Sequence, residues 1–162
     1  MACPKYPKNP TRVKIEHTEK GCIHWVDFED SDPEIRSQKS RPYIIISRNN
    51  PKSLKIIICP ISDIRHYYEK DTTKLKYPYH APLFKSDYKF LEKDSAVLLD
   101  QVSTISKNDL CEEWYIGKVI DCSVIDMGLA YNYDMFESFS QAYTELITKL
   151  PSSHMSGFSR KW

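Results

Sequence analysis

Arg41 stands where a polar, basic lead turns into an unbroken aliphatic run, in the stretch SQKSRPYIIISRNN at residues 37 to 50. An arginine there cannot follow its backbone into a core without a partner, because an unpaired buried charge is strongly destabilising. It must be ion-paired, with Asp27 or Glu34 as sequence candidates, reach solvent at a sheet edge, or face something anionic. Nearby, Arg36 and Lys39 belong with Arg41, while Arg65, His66, Tyr67 and Tyr68 form a second set in which cations alternate with aromatic rings. Such a mixture suits phosphate contacts combined with base stacking, although a solvated loop draws on the same residues. Taken singly, the other polar residues read more plainly. Ser62 is a strand-end turn former, Asp100 and Gln101 are satisfied polar residues of a strand, and His24 beside Trp25 is a packing histidine.

The chain that must position these groups has 162 residues, enough for one domain with a single hydrophobic core. At 41% hydrophobic and 28% charged it reads as globular rather than disordered. The formal net charge of +1 neither requires nor excludes a nucleic-acid partner, so any such contact has to come from a local patch. No apolar run approaches the roughly 18 residues that span a bilayer, and the basic, proline-rich start MACPKYPKNPTRVK is no signal peptide. The five cysteines are scattered and none has CxxC spacing, which points to a reduced, cytosolic setting without a structural zinc site or other cofactor.

Residues 1–18 read as a flexible arm broken by Pro4, Pro7 and Pro10, residues 19–150 as the single domain, and residues 151–162 as a flexible tail. GCIHWVDF alternates with period two and predicts a strand, followed by the polar loop EDSDPEIRSQKS. PYIIIS and KIIICPIS flank the turn signal RNNPKSL and predict a central antiparallel hairpin. Residues 63 to 80 form a long polar connection rich in tyrosine and lysine. HAPLF is compatible with an edge strand because of Pro82, SAVLLDQVSTI reads as one strong strand, a helical turn follows at Lys107 to Glu112, and WYIGKVI closes the sheet. From Ser123, taken as the cap, Ile125, Leu129, Tyr133, Phe136, Phe139, Tyr143, Leu146 and Leu150 trace one stripe of an amphipathic helix ending at Pro151. Gly128 is the expected point of a kink or break, and the stripe is expected to serve as core or as a dimer contact. The class expected is α+β: a small, strongly curved antiparallel sheet or SH3-like barrel with a long C-terminal helix.

The ordered set GCIHWVDF, a polar loop with Glu34, SRPYIIIS, IIICPIS, YPYHAPL, LEKDSAVLLDQVSTISKNDL and YIGKV resembles the MazF/PemK family of toxin endoribonucleases over about residues 20 to 120. The resemblance implies a barrel-like sheet in a symmetric homodimer, acting in the bacterial cytoplasm. It implies cleavage of single-stranded RNA, mRNA included, at short sequences without a metal, and inhibition by a cognate antitoxin peptide laid over the RNA groove. Arg41 matches the arginine of the family's Arg-Pro motif, and Ser62 falls where threonine is usual. Ser103 replaces the arginine that often follows the family's Asp-Gln pair, while Pro33 and Leu98 replace the histidine and arginine used by some members. The PemK-type histidine–arginine–aspartate set is thus reduced to Asp100, and the arginine-plus-hydroxyl set survives.

On this resemblance Arg41 clamps the scissile phosphate and Ser62 supplies a second hydrogen bond, because a guanidinium forks onto phosphate and keeps its proton. Glu34 is the candidate general base, with His24 and His80 as alternatives. Arg36, Gln38, Lys39, Arg65, His66, Tyr67, Asp100 and Gln101 are the expected RNA contacts. The competing reading is a barrel that binds RNA or protein without cutting, including a gyrase-poisoning toxin like CcdB.

Overall fold

Period-two alternation in GCIHWV and β-branched runs in the next two segments produce the middle of an antiparallel sheet. The computed structural model describes residues 7–27 and 40–149, and within them the sheet has seven strands. These are β1 (Cys22–Val26), β2 (Arg41–Ile45), β3 (Lys55–Asp63), β4 (His80–Leu83), β5 (Ser95–Leu98), β6 (Ser103–Ser106) and β7 (Tyr115–Lys118). The spatial order is β4-β5-β3-β2-β1-β7, with β6 also paired to β3. The central β2–β3 hairpin and the edge position of β4 agree with the sequence reading, as does the 3-10 turn Lys107–Asp109. Ends β4 and β7 do not pair, so the curled sheet is an open half-barrel.

Two cores lie on opposite faces of this sheet, as the alternation requires. Ile23, Ile44, Cys59, Ile61, Ala81, Val97 and Leu99 occupy one. Cys22, Val26, Tyr43, Ile45, Ile56, Ile58 and Ile105 occupy the other. Cys22, Cys59, Cys111 and Cys122 are free thiols. Among the described residues no helix is long and apolar enough to cross a membrane.

Several expectations need correction. SAVLLDQVSTI is two strands, not one: β5 pairs with Ile61–Asp63 and β6 with Lys55–Ile58, both along the same edge of β3. Pro60 lies in the nine-residue β3 between the stretches that pair with β6 and β5, and the opposing chain is interrupted by a turn closed by Gln101 N–H donating to Leu98 O at 3.1 Å. Asp100 and Gln101 therefore sit in an exposed turn rather than in a strand.

The C-terminal helix is also two elements, α1 (Ser123–Asn132) and α2 (Phe136–Lys149). The break lies not at Gly128 but at Asp134, whose φ of 52° is left-handed. Met135 N–H donates to Ala130 O at 2.8 Å and Asp134 N–H to Tyr131 O at 3.1 Å, the paired bonds of a Schellman turn. Gly128 is instead a packing glycine, since a Cβ there would lie 2.5 Å from Leu99 Cδ1 and 3.0 Å from Tyr79 O. Ser123 is not the cap either: its N–H donates to the Asp121 carboxylate at 2.9 Å.

The apolar stripe reaches the core only as far as Ile125 and Leu129. Tyr133, Phe136, Phe139 and Tyr143 are each about half exposed, so among the described residues the aromatic face of α2 stays largely open to solvent. Leu146 and Leu150 lie outside the residues whose side chains are described.

Finally, the arm is tied down from Thr11 onward. Thr11 N–H and Lys14 N–H donate to the carboxylates of Glu113 and Glu112, Arg12 bridges Cys111, and His17 stacks on Tyr115 with ring centres 3.7 Å apart. Val13 is buried in the second core. The expected tail, residues 151–162, lies outside the described residues.

Candidate functional site

β2 and β3 run in a register that pairs Ile45 with Ile58, Ile44 with Cys59 and Tyr43 with Pro60. The pairing ends at Tyr43 and Pro60, and Arg41 and Ser62 each lie two residues beyond that last pair, at the same end of the hairpin. Both residues line a cavity of about 260 Å³ at this end of the strands. Its apolar floor is Ile23, Trp25, Ile61, Leu91 and Ile116. Its polar rim is Ser40, Arg41, Ser62, Asp63, His66, Glu92, Lys93 and Ser95.

Of the partners open to Arg41, Glu34 lies outside the described residues. Val26 is the cross-strand partner of Arg41 on β1, which leaves the arginine at the strand end, half-buried. Among the described residues no carboxylate forms an ion pair with it. Arg41 thus lines the cavity with no described carboxylate paired to it, and a guanidinium at such a position suits a phosphate.

The Asp63 carboxylate is treated differently. It is 6% exposed and accepts from Arg65 Nε at 3.0 Å, Arg65 Nη2 at 2.6 Å, Arg65 N–H at 3.0 Å and Lys93 Nζ at 2.9 Å. These donors, Arg65 foremost and Lys93 next, hold its carboxyl far below the usual carboxylate range against the opposing effect of burial. Lys93 is itself fixed: Ser95 Oγ donates to its carbonyl at 3.0 Å, and Ile64 N–H donates to the carbonyl of Asp94 at 3.3 Å.

The sequence-predicted residues divide into four groups. Arg41, Ser62 and His66 meet at the cavity. Arg65 is beside it, bound to Asp63. Tyr67 and Asp100 belong to a separate cluster around His80, and Gln101 is in the adjoining turn. Glu34, Arg36, Gln38 and Lys39 lie outside the described residues.

Neither alternative base lies at the cavity. His80, 5% exposed, contacts Asp100 Oδ1 through Nε2 at 3.2 Å, with the rings of Tyr67, Tyr77 and Tyr79 packed edge-on around it. His24, 1% exposed, has Nε2 2.7 Å from the carbonyl of His17, and burial lowers its pKa. A neutral imidazole donating from Nε2 satisfies that contact, so the packing reading of His24 agrees with its surroundings.

Asp63 and Lys93 escaped the sequence reading. Asp63 follows Ser62 directly, and Lys93 comes to it only because β5 pairs with the end of β3, Asp63 against Ser95. That pairing carries no local sequence signal.

Chemically, the cavity is lined by an arginine that no described carboxylate pairs with, a serine hydroxyl, an exposed imidazole at His66 and a tethered ammonium, together with apolar side chains. Such a set suits a phosphodiester with a base seated below it.

Comparison with known proteins identifies the family. Residues 19–126 match the family model described as PemK-like, MazF-like toxin of type II toxin-antitoxin system. A curated relative, Endoribonuclease MazF of Staphylococcus saprophyticus subsp. saprophyticus, is 37% identical over 75 residues, or 45% of this chain. That match spans 56% of the relative's own length. Two solved structures have similar shapes at 20% identity, each covering 70% of this chain. An endoribonuclease in complex with its cognate antitoxin from Mycobacterial species gives a TM-score of 0.49 and is covered over 91% of its length. The Mycobacterium tuberculosis toxin MazF-mt6 gives 0.48 and is covered over 96%.

Proposed function

The chain belongs to the PemK-like, MazF-like toxin family of type II toxin–antitoxin systems, and from that premise we propose that it is a sequence-specific endoribonuclease cutting single-stranded RNA without a metal. The observation that carries this reading is that Arg41 and Ser62 line one cavity, with no ion pair from a described carboxylate to Arg41.

In this reaction the ribose 2′-oxygen attacks the adjacent phosphorus. The O2′–P bond forms and the P–O5′ bond breaks, leaving a 2′,3′-cyclic phosphate and a 5′-hydroxyl. The 2′-hydroxyl proton leaves to a base, and the departing 5′-oxygen receives one. Negative charge gathers on the non-bridging oxygens, where the Arg41 fork donates two charge-assisted hydrogen bonds and Ser62 Oγ a third. A fixed guanidinium supplies the charge that a metal would otherwise bring. Of the described residues, His66 is the imidazole at the cavity and takes part in proton transfer, with Glu34 from the neighbouring loop as the other base candidate.

The protein works in the bacterial cytoplasm against mRNA, is held in check by a cognate antitoxin, and forms a homodimer. Family membership supports the antitoxin, and the uncovered aromatic face of α2 supports self-association.

A defined single-stranded RNA incubated with purified protein tests the reading. Fragments with 5′-hydroxyl ends are expected, and Arg41→Ala should slow their release by about 10²-fold or more. Undiminished cleavage by Arg41→Ala would remove the assignment. Intact RNA with the wild-type protein would return the chain to a binding role.

A further inference from the structure

We propose that Lys93, held in place by Asp63, is a second phosphate-binding position that grips the RNA backbone beside the scissile linkage. The inference rests on the RNA-cleaving reading of the same cavity and adds to it a residue that the arginine–hydroxyl pair does not include.

Stoichiometry of charge and donors comes first. Asp63 binds two cations, Arg65 and Lys93, so this cluster retains a surplus positive charge after its internal pairing. An ammonium has three N–H donors, and Asp63 occupies one of them. The Lys93 side chain is 50% exposed and lines the cavity, so the donors that no described residue occupies are accessible to a ligand there.

Placement comes second. A surface lysine normally loses considerable rotamer freedom on gripping a phosphate. Lys93 has already given up much of that freedom. Its head is tied to a carboxylate that is 6% exposed, and its backbone is pinned by the Ser95 hydroxyl. A bare ion pair would need no such anchoring from a buried partner at the rim of the cavity that holds Arg41 and Ser62. Asp63 is thus a positioning residue, and Lys93 the one that touches RNA. As a point charge on a flexible stem, Lys93 suits a backbone contact that is indifferent to base identity.

The test is binding of a fluorescein-labelled, mixed-sequence, single-stranded oligonucleotide with 2′-deoxy sugars, which has no nucleophile and cannot be cut. Affinity is measured across a salt series for wild type, Lys93→Ala, Lys93→Gln and Lys93→Arg. Loss of one phosphate contact on a single strand should make the slope of log affinity against log salt shallower by about 0.7 and lower affinity about fourfold near physiological salt. Lys93→Arg should restore the wild-type slope. With cleavable RNA, Lys93→Ala should raise KM more than it lowers kcat.

A purely structural lysine would leave the slope unchanged, and parallel salt lines for wild type and Lys93→Ala overturn the proposal. So does failure of the wild-type protein to bind the oligonucleotide. Lys93→Gln keeps the stem and discriminates equally well if Lys93→Ala does not fold. Wild-type protein that binds with the expected slopes but leaves RNA intact would refute the nuclease reading and leave this one standing.

Discussion

Asp63 and Lys93 meet through a 2.9 Å hydrogen bond between elements thirty residues apart, one ending β3 and the other leading into β5. Asp63 is held ionised mainly by Arg65 and then by Lys93, so its folded pKa lies below its unfolded value near 3.9. A carboxyl depressed in this way contributes stability that is fully present above about pH 4 and is lost as pH falls through its folded pKa. Chemical denaturation between pH 6 and about 2.5 should show Asp63→Asn losing less stability on acidification than wild type. At neutral pH the same variant should be less stable by about 1–3 kcal/mol, since charge-assisted hydrogen bonds are weakened.

Ser62 is expected to matter less than Arg41, because a neutral hydroxyl donates a weaker hydrogen bond to a developing oxyanion than a cation does. Ser62→Ala should cut kcat for RNA cleavage by about 10- to 100-fold, and Ser62→Thr should retain most of it. Single-turnover rates at saturating RNA check both. Equal losses for Ser62→Ala and Ser62→Thr would count against a hydroxyl role.

Glu112 fastens the N-terminal segment. His17, first, and Lys14 hold its carboxyl down to about 2, against an ordinary value near 4.3. The sign is that of Asp63: the fastening is complete above about pH 4.3 and is released as pH falls toward 2. Amide exchange at Lys14 should therefore quicken, relative to the strand amides, as pH falls below about 4. Glu112→Gln should bring the same loosening at neutral pH. Unchanged protection of Lys14 in Glu112→Gln would show the segment to be held by Val13 burial instead.

Gly128→Ala offers a contrast between propensity and packing. In a free helix alanine gains up to about 1 kcal/mol over glycine. Here its methyl would meet Leu99 Cδ1 at 2.5 Å and the Tyr79 carbonyl at 3.0 Å. Overpacking of that order costs about 1–3 kcal/mol and should win, lowering Tm by several degrees. A raised Tm would mean that Leu99 yields freely.

Cys59 is fully buried, and burial pushes its thiol up to about 12. It should resist alkylation in the folded protein at pH 8 and react once the protein is denatured, as mass spectrometry of labelled peptides would show.

Much of this fold was legible from periodicity. The alternation in GCIHWV, the two isoleucine runs and Pro82 located the central strands and the β4 edge. Arg41 and Ser62 could be brought together because a hairpin is a local object whose register its turn constrains. Less local facts were not visible. The division of SAVLLDQVSTI follows from its pairing with two separate stretches of β3, which SAVLLDQVSTI itself does not encode. The role of Gly128 depends on Tyr79 and Leu99 arriving from elsewhere, and the break at Asp134 competes with a hydrophobic stripe that runs on through it. Asp63 and Lys93 were hidden for the same reason: each is an ordinary charged residue until a distant strand pairing sets them side by side.

Pro82 lies within the outermost strand β4, opposite Ala96. Its nitrogen carries no hydrogen to offer outward, so the flank of β4 makes a poor template for an added strand. Copies of the protein are discouraged from zipping together along that seam into open-ended fibres, and any assembly they form has to be built from other surfaces.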